Sequence, residues 1–145
     1  MLVATFLLFA AAVSAAPAGK PDGRTHLRLP DRKDDRPYSD AVIVGKTVYL
    51  SGKIGTDASG KPPADGAAEA RLVMDRVKAT LEAAGATMDD LVSVQVFCSD
   101  LAQYDTFNTV YASYFARTHP ARAFIGSGPL LYGARFEVQA IAVKP

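Results

Sequence analysis

The chain has 145 residues, which is enough for one domain and not comfortably for two. Hydrophobic residues make up 49% and charged residues 21%, so a wholly disordered chain is excluded. Lys and Arg total 16 against 15 for Asp and Glu, and the formal net charge is +1. Because that balance offers no large basic field for phosphate backbones, we expect no nucleic-acid partner.

The first 15 residues are an apolar run that ends in small side chains, Val13-Ser14-Ala15. The run is too short to span a bilayer as a helix and is typical of a secretory signal cut after Ala15. It predicts a secreted or periplasmic protein with no membrane attachment after cleavage. No Lys or Arg precedes the apolar core, so an uncleaved interfacial anchor and a misassigned start are the alternatives.

Residues 16–37 are polar and rich in Pro, Asp and Arg. Such a segment buries too little apolar surface to offset the entropy of ordering it, so we expect a flexible lead-in. The folded domain is then expected at residues 38–145.

The domain begins with two β-prone runs, 38–44 and 47–51, that indicate a hairpin ended by Gly52. A helix is predicted over 67–84, with Gly85 as its C-terminal cap. Its apolar residues recur at spacings of three and four, which indicates one buried stripe. The stripe consists of Ala70, Val73, Met74, Val77, Leu81 and Ala84.

Residues 91–98 alternate as a strand does, and Asp100 is positioned to cap a second helix. That helix carries an apolar and aromatic stripe, which we assign to the core rather than to a nucleotide-stacking surface. The stripe consists of Phe107, Val110, Tyr111, Tyr114 and Phe115. Two further strands lie within residues 120–143, on either side of a Gly/Pro-containing break. If those two pair antiparallel, Arg122 and Glu137 approach the same edge of the sheet.

Two common kinds of site find no support in the sequence. Cys98 is the single cysteine, which rules out an intramolecular disulfide and suits a strand interior. The two histidines, His26 and His119, belong to no cluster with metal-ligand spacing, so no metal site is predicted. Neither lies near a Gly-x-Ser-x-Gly motif, so a serine hydrolase has no support.

The order strand, strand, helix, strand, helix, strand, strand indicates an α+β layer with both helices on one face of the sheet. Alternate residues of the strands leave both faces partly apolar, as in a sheet that buries its second face against another copy. The residues that suggest this are Val94, Val96, Phe136, Val138 and Ala140.

An ordered set of short motifs over the last three-quarters of the chain resembles the RidA (YjgF) family. The motifs are Pro37-Tyr38-Ser39-Asp40-Ala41-Val42, Val48-Tyr49-Leu50-Ser51-Gly52-Lys53-Ile54, Leu81-Glu82-Ala83-Ala84-Gly85, Phe107-Asn108-Thr109-Val110-Tyr111, Pro120-Ala121-Arg122 and Phe136-Glu137-Val138-Gln139-Ala140-Ile141-Ala142. The resemblance implies a chorismate-mutase-like fold of the bacillus type, ββαβαββ. It also implies a homotrimer with sites between neighbouring copies.

The resemblance further implies hydrolysis of reactive enamines and imines, without a cofactor, to 2-oxo acids and ammonia. By this resemblance Arg122 holds the substrate carboxylate and Glu137 positions the attacking water. Further substrate-binding positions carried over in the same way are Tyr38, Gly52, Asn108 and Phe124. Three alternatives stay open: a plain cross-strand ion pair, a non-catalytic protein that binds small carboxylates, and a ribonuclease or translation inhibitor.

Four departures from the family pattern bear on substrate range more than on reaction type. Arg36 stands at a common Gly, Asp40 at a common Gln, Gln139 at a second Glu, and Leu131 at a common Pro. None of them removes the arginine or the water-positioning glutamate.

Overall fold

A computed structural model describes residues 23–30, 32 and 34–145, and the predicted signal segment lies outside them. The regular elements are β1 (Arg24–Leu27), β2 (Ala41–Val44), β3 (Thr47–Ile54), α1 (Gly66–Ala83), β4 (Leu91–Cys98), α2 (Tyr104–Ala112), β5 (Ala121–Gly126) and β6 (Phe136–Val143). Within the described ranges, no helix combines the length and the apolar character that crossing a membrane requires.

The six strands form one mixed sheet in the order β1-β2-β3-β6-β4-β5. Every neighbouring pair is antiparallel except β4 and β5, which run parallel because α2 carries the chain back between them. The predicted antiparallel pairing of the last two strands is therefore wrong. β4 lies between β5 and β6 and hydrogen-bonds with both.

β1 is a strand within the segment that we expected to be a flexible lead-in. Residues Arg24–Leu27 pair antiparallel with Ala41–Val44. Strand pairing uses main-chain groups, so it does not require an apolar sequence, and only Leu27 packs against the core. Composition argues against a packed core in this segment, but it does not exclude an edge strand added to an existing sheet.

The first helix confirms its predicted stripe. Asp65 caps α1, where its carboxylate accepts hydrogen bonds from the backbone N–H groups of Ala67 and Ala68. Every residue of the stripe is buried. Gly85 follows with φ of 74°, a left-handed conformation that suits glycine at a helix end.

The second helix packs on the same face of the sheet as the first. The Phe107 ring lies 4.9 Å from that of Phe136 in β6 and 5.6 Å from that of Phe124 in β5, measured between ring centroids. The strand residues that we assigned to both faces all point toward the helices and are buried: Val94, Val96, Phe136, Val138 and Ala140. The core therefore lies entirely between the sheet and its two helices.

The other face of the sheet has no covering layer in the described chain. Tyr49, Ile125 and Val143 on this face are 47%, 37% and 42% exposed. Strand pairing places Tyr49 beside Ile141 and Ile125 beside Phe97, and both of these partners are only partly buried. An apolar sheet face of this kind favours burial against another molecule.

Candidate functional site

Arg122 lies in β5 opposite Val94, so its side chain points to the helix side of the sheet. Its Nη2 donates a hydrogen bond of 2.7 Å to Oδ1 of Asn108 in α2. The guanidinium also stacks over the ring of Tyr111, 4.6 Å from its centroid, and lies 5.6 Å from that of Phe124. No carboxylate of the described residues forms an ion pair with it. The arrangement fixes a cation whose charge is left for an anionic ligand.

Tyr111 forms one wall of the Arg122 site, although the sequence assigned it only to the core. Burial raises the pKa of Tyr111 to about 12, so the phenol stays protonated. Its hydroxyl is buried and has no hydrogen-bond partner within the described chain. Beside it, a cavity of about 280 Å³ is lined by Asn108, His119 and Arg122. This cavity has room for a small carboxylate.

Glu137 lies in β6 between Phe97 of β4 and Ile54 of β3, and its side chain points to the uncovered face. A β-bulge between Leu50 and Lys53 places Gly52 directly against the Glu137 carboxyl group. A Cβ atom at Gly52 would overlap Oε1 of that carboxyl. We predicted that Gly52 ends the strand, but it lies within β3, where the missing side chain makes room for Glu137.

The Glu137 carboxyl has no hydrogen-bond partner among residues 23–30, 32 and 34–145. The residue is neither fully buried nor fully exposed. A carboxylate in that position keeps its lone pairs available for a water molecule or a substrate proton.

Arg122 and Glu137 point to opposite faces of the sheet in a single chain. Their strands are also separated by β4, which corresponds to roughly 10 Å at the usual strand spacing. The expectation that both approach one edge is therefore wrong, and so is the alternative of a plain ion pair between them within one chain. One chain presents the two groups on separate surfaces.

Tyr38 is linked to Glu137 through Gly52, which touches the Glu137 carboxyl group. Its side chain is 47% exposed, and it lines the same cleft as Gly52. The guanidinium of Arg32 lies 4.1 Å from the centroid of the Tyr38 ring, and its Nη1 donates to the Tyr38 carbonyl at 2.9 Å. The six predicted positions thus form two groups. Arg122, Asn108 and Phe124 make one, and Glu137, Gly52 and Tyr38 make the other.

A buried ion pair supports the second group. Lys53 Nζ lies 2.8 Å from Oδ1 of Asp40, and both side chains are 8% exposed. Burial alone would raise the pKa of Asp40, but hydrogen bonds from Lys53 and from the Leu29 N–H outweigh burial and lower it. In the sequence, Asp40 stood out only because the family commonly has Gln at this position. Its partner Lys53 is 13 residues away in the chain, so the ion pair could not be inferred from the sequence.

Solved structures define the class of protein to which this fold and site belong. The structure of Escherichia coli TdcF with bound serine is 35% identical, with a TM-score of 0.72, and the match covers 75% of this chain and 89% of that one. RidA from an Antarctic Psychrobacter is 31% identical with a TM-score of 0.70, covering 81% and 94%. The chain is an α+β protein of the chorismate-mutase-like fold, as predicted.

Sequence comparisons identify the family. Residues 32–144 match the family described as Endoribonuclease L-PSP. The 2-iminobutanoate/2-iminopropanoate deaminase of Bos taurus is 40% identical over 110 residues, which is 74% of this chain and 80% of that protein. The enzyme of the same name from Escherichia coli K12 is 38% identical over 112 residues, 74% and 88%. This chain belongs to the endoribonuclease L-PSP family, which is the RidA family that its motifs indicated.

Proposed function

We propose that this protein is a deaminase that converts 2-imino acids and water into 2-oxo acids and ammonia. The observation that carries the proposal is the state of Arg122, a cation fixed by Asn108 and Tyr111 but not paired with a carboxylate of the described residues. The names of the similar Bos taurus and Escherichia coli proteins support the same reaction.

The chemistry needs one cation and one carboxyl group. The Arg122 guanidinium donates two parallel hydrogen bonds to the substrate carboxylate in a bidentate contact. Glu137 holds a water against the imine carbon and takes its proton as the new C–O bond forms. The carboxyl group then returns that proton to nitrogen. It next relays the proton of the new hydroxyl group to nitrogen, so that the C–O bond becomes a carbonyl, the C–N bond breaks and ammonia leaves. No step changes an oxidation state, so the proposal requires no oxidant.

The two groups must come from different copies of the chain. Arg122 lies in the edge strand β5, and Glu137 lies on the uncovered sheet face. We propose that three copies bury these faces against one another, so that Arg122 of one copy closes over Glu137 of the next. The apolar residues of the uncovered face, Tyr49, Ile125 and Val143, support such burial.

The test generates imino acids with an amino-acid oxidase and follows the loss of the semicarbazide-trapped product. We expect Arg122→Ala and Glu137→Gln each to lower kcat/KM by about 100-fold or more. Arg117→Ala is the control, because Arg117 precedes the same strand but its side chain is 80% exposed and paired with Asp89. Equal imine decay with wild type and Arg122→Ala would refute the proposal.

The same residues distinguish the alternatives. A carboxylate-binding protein would bind 2-oxo acids saturably without turnover and lose that binding in Arg122→Ala. A ribonuclease would cleave RNA after repurification and lose cleavage in the same variant. The near-neutral net charge opposes the ribonuclease alternative.

A further inference from the structure

The cleft beside Gly52 has a surplus of positive charge. Its volume is about 380 Å³, and its ionised lining groups are Arg32, Asp34, Arg36, Asp40, Lys53 and Arg76. Among the residues that the structure describes, four cations face two carboxylates, which is a net charge of +2. A concave surface with such a surplus favours an anion.

The internal contacts show which cations remain available. Asp40 is paired with the buried Lys53 at 2.8 Å. Arg76 points both of its terminal nitrogens at main-chain carbonyls, those of Ile54 and Thr56, at 2.7 Å. Arg32 is 8% exposed and enclosed by its partners. Arg36, whose side chain is 48% exposed, is the cation of this cleft that is most open to an incoming ligand.

The carboxylate of Asp34 does not neutralise Arg36. Arg32 takes the closer contact, with Nε 2.9 Å from Oδ1 of Asp34, and Arg36 Nε lies 3.4 Å from Oδ2. Two guanidinium groups therefore share one carboxylate, and one positive charge is left over. The shared contact orients Arg36 without cancelling its field.

Two aromatic side chains hold the Arg36 head at the wall of the cleft. Nη1 of Arg36 lies 3.5 Å from the hydroxyl of Tyr38, and the guanidinium carbon lies 5.8 Å from the ring centroid of Tyr132. Tyr132 has φ of 59°, a left-handed backbone conformation that is uncommon for a residue with a side chain. Gly52, which touches the Glu137 carboxyl, lines the same cleft.

We infer that Arg36 makes the protein selective for 2-imino acids that carry a second carboxylate in the side chain, and this inference rests on the proposed deaminase function. Arg122 of a neighbouring copy takes the carboxylate next to the imine carbon. Arg36 takes the distal carboxylate in the cleft that Gly52 lines, and Gly52 in turn contacts the Glu137 carboxyl group. Water adds to the carbon–nitrogen double bond and ammonia leaves, as for any 2-imino acid, and the distal carboxylate is unchanged.

The experiment compares two five-carbon imines of equal length, 2-iminopentanedioate and 2-iminopentanoate, each made by an amino-acid oxidase. The measured quantity is the ratio of kcat/KM for the diacid to that for the monoacid. We expect a ratio above one for wild type and a roughly tenfold lower ratio for Arg36→Gln, mainly through the KM of the diacid. Arg36→Lys should retain most of the preference because it keeps the charge.

Arg28→Gln is the matched control. The Arg28 side chain is 49% exposed and pairs with one aspartate, Asp35, at 3.4 Å, as Arg36 does with Asp34. Arg28 does not line the cleft. We expect the Arg28 variant to keep the wild-type ratio. We also expect rising salt to lower the wild-type ratio and to change the Arg36→Gln ratio less.

A wild-type ratio at or below one, or an equal ratio in wild type and Arg36→Gln, overturns the inference while the deaminase function stands. If wild type hydrolyses neither imine, the proposed function fails. Calorimetry with 2-oxopentanedioate and 2-oxopentanoate then tests whether Arg36 makes the protein bind the diacid more tightly than the monoacid. Tighter diacid binding that is lost in Arg36→Gln would support selectivity in a binding protein. Equal affinity for the two acids would overturn the inference that Arg36 selects a second carboxylate.

Discussion

Glu137 is positioned by the absence of a side chain at Gly52. The bulge in β3 turns the Gly52 backbone toward β6, and the carboxyl group occupies the space that a Cβ atom would take. The family motif identified both residues in the sequence, but their mutual contact depends on the bulge. A bulge is set by the pairing of two distant strands, so the local sequence does not reveal it.

Gly52→Ala is therefore expected to displace Glu137. The methyl group overlaps Oε1, so the carboxyl must rotate away from the position in which we propose that it holds water, and kcat/KM should fall by about tenfold or more. The measurement is steady-state imine hydrolysis, with circular dichroism to confirm that the variant folds.

Gly128→Ala is the control for this substitution. No atom lies within 4 Å of a Cβ built at Gly128, and its φ is not in the left-handed region. Activity should stay within a factor of about two of wild type. An active Gly52→Ala enzyme would mean that the carboxyl position in the resting chain does not matter for turnover.

The surroundings of Arg122 show which site residues could be predicted from the sequence and which could not. The Arg122 motif predicted an anion-binding arginine, and the structure leaves it without a carboxylate partner in the described chain. The part played by Tyr111 was not predicted, because an aromatic residue in a helical stripe indicates core packing. Tyr111 belongs both to the core and to the surroundings of Arg122, since its ring packs against that of Phe107 and also lies under the Arg122 guanidinium.

At the scale of elements, periodicity predicted α1 well, but it extended α2 too far and did not predict strand pairing. α2 ends at Ala112, so Tyr114 and Phe115 of the predicted stripe lie beyond the helix, where they still pack against the core. The stripe of α1 follows from local spacing, and the structure confirms it. β5 and β6 are joined by a short Gly/Pro-containing loop that suggests a hairpin. Instead, β4 lies between them and pairs with β5 along one edge and with β6 along the other. Adjacency in the chain does not fix adjacency in a sheet that contains a helical crossover.

The first three strands are tied together by Asp40. Its carboxylate accepts from Leu29 after β1, from Lys53 in β3, and at 3.4 Å from Arg32. Its pKa in the folded chain lies below the ordinary 3.8, so folded protein binds this proton more weakly than unfolded chain. The stability due to Asp40 is present above pH 3.8 and is lost as the pH falls below it.

Asp40→Asn should destabilise the protein at neutral pH by about 3 kcal/mol, because it leaves the Lys53 charge buried without its partner. It should also flatten the fall in stability below about pH 4. Urea unfolding at several pH values measures both effects. Asp35→Asn is the control, since Asp35 is fully exposed and should change neither.

The double variant Asp40→Asn/Lys53→Gln, together with the two single variants, forms a double-mutant cycle that measures the coupling between Asp40 and Lys53. Removing both charges should cost less than the sum of the two single changes, because no unpaired charge remains in the buried site. Additive losses and an unchanged acid slope would show that the pair does not tie the strands.

At the scale of the whole molecule, one chain presents the two halves of the proposed site on separate surfaces. The helix side of β5 presents Arg122, and the uncovered face of the sheet presents Glu137. The uncovered face also carries exposed apolar side chains, among them Tyr49, Ile125 and Val143. Association of copies would join the two halves in the same step that buries this surface.

The most direct measurement is complementation between two inactive variants. Arg122→Ala and Glu137→Gln are co-expressed with different tags, and mixed assemblies are purified through both tags. In a mixed trimer of either composition, about one interface in three has an intact Arg122 on one copy and an intact Glu137 on its neighbour. We predict recovery of about a third of wild-type imine hydrolysis, with none when the separately assembled variants are combined. Mixed assemblies as inactive as either parent would contradict a site shared between copies.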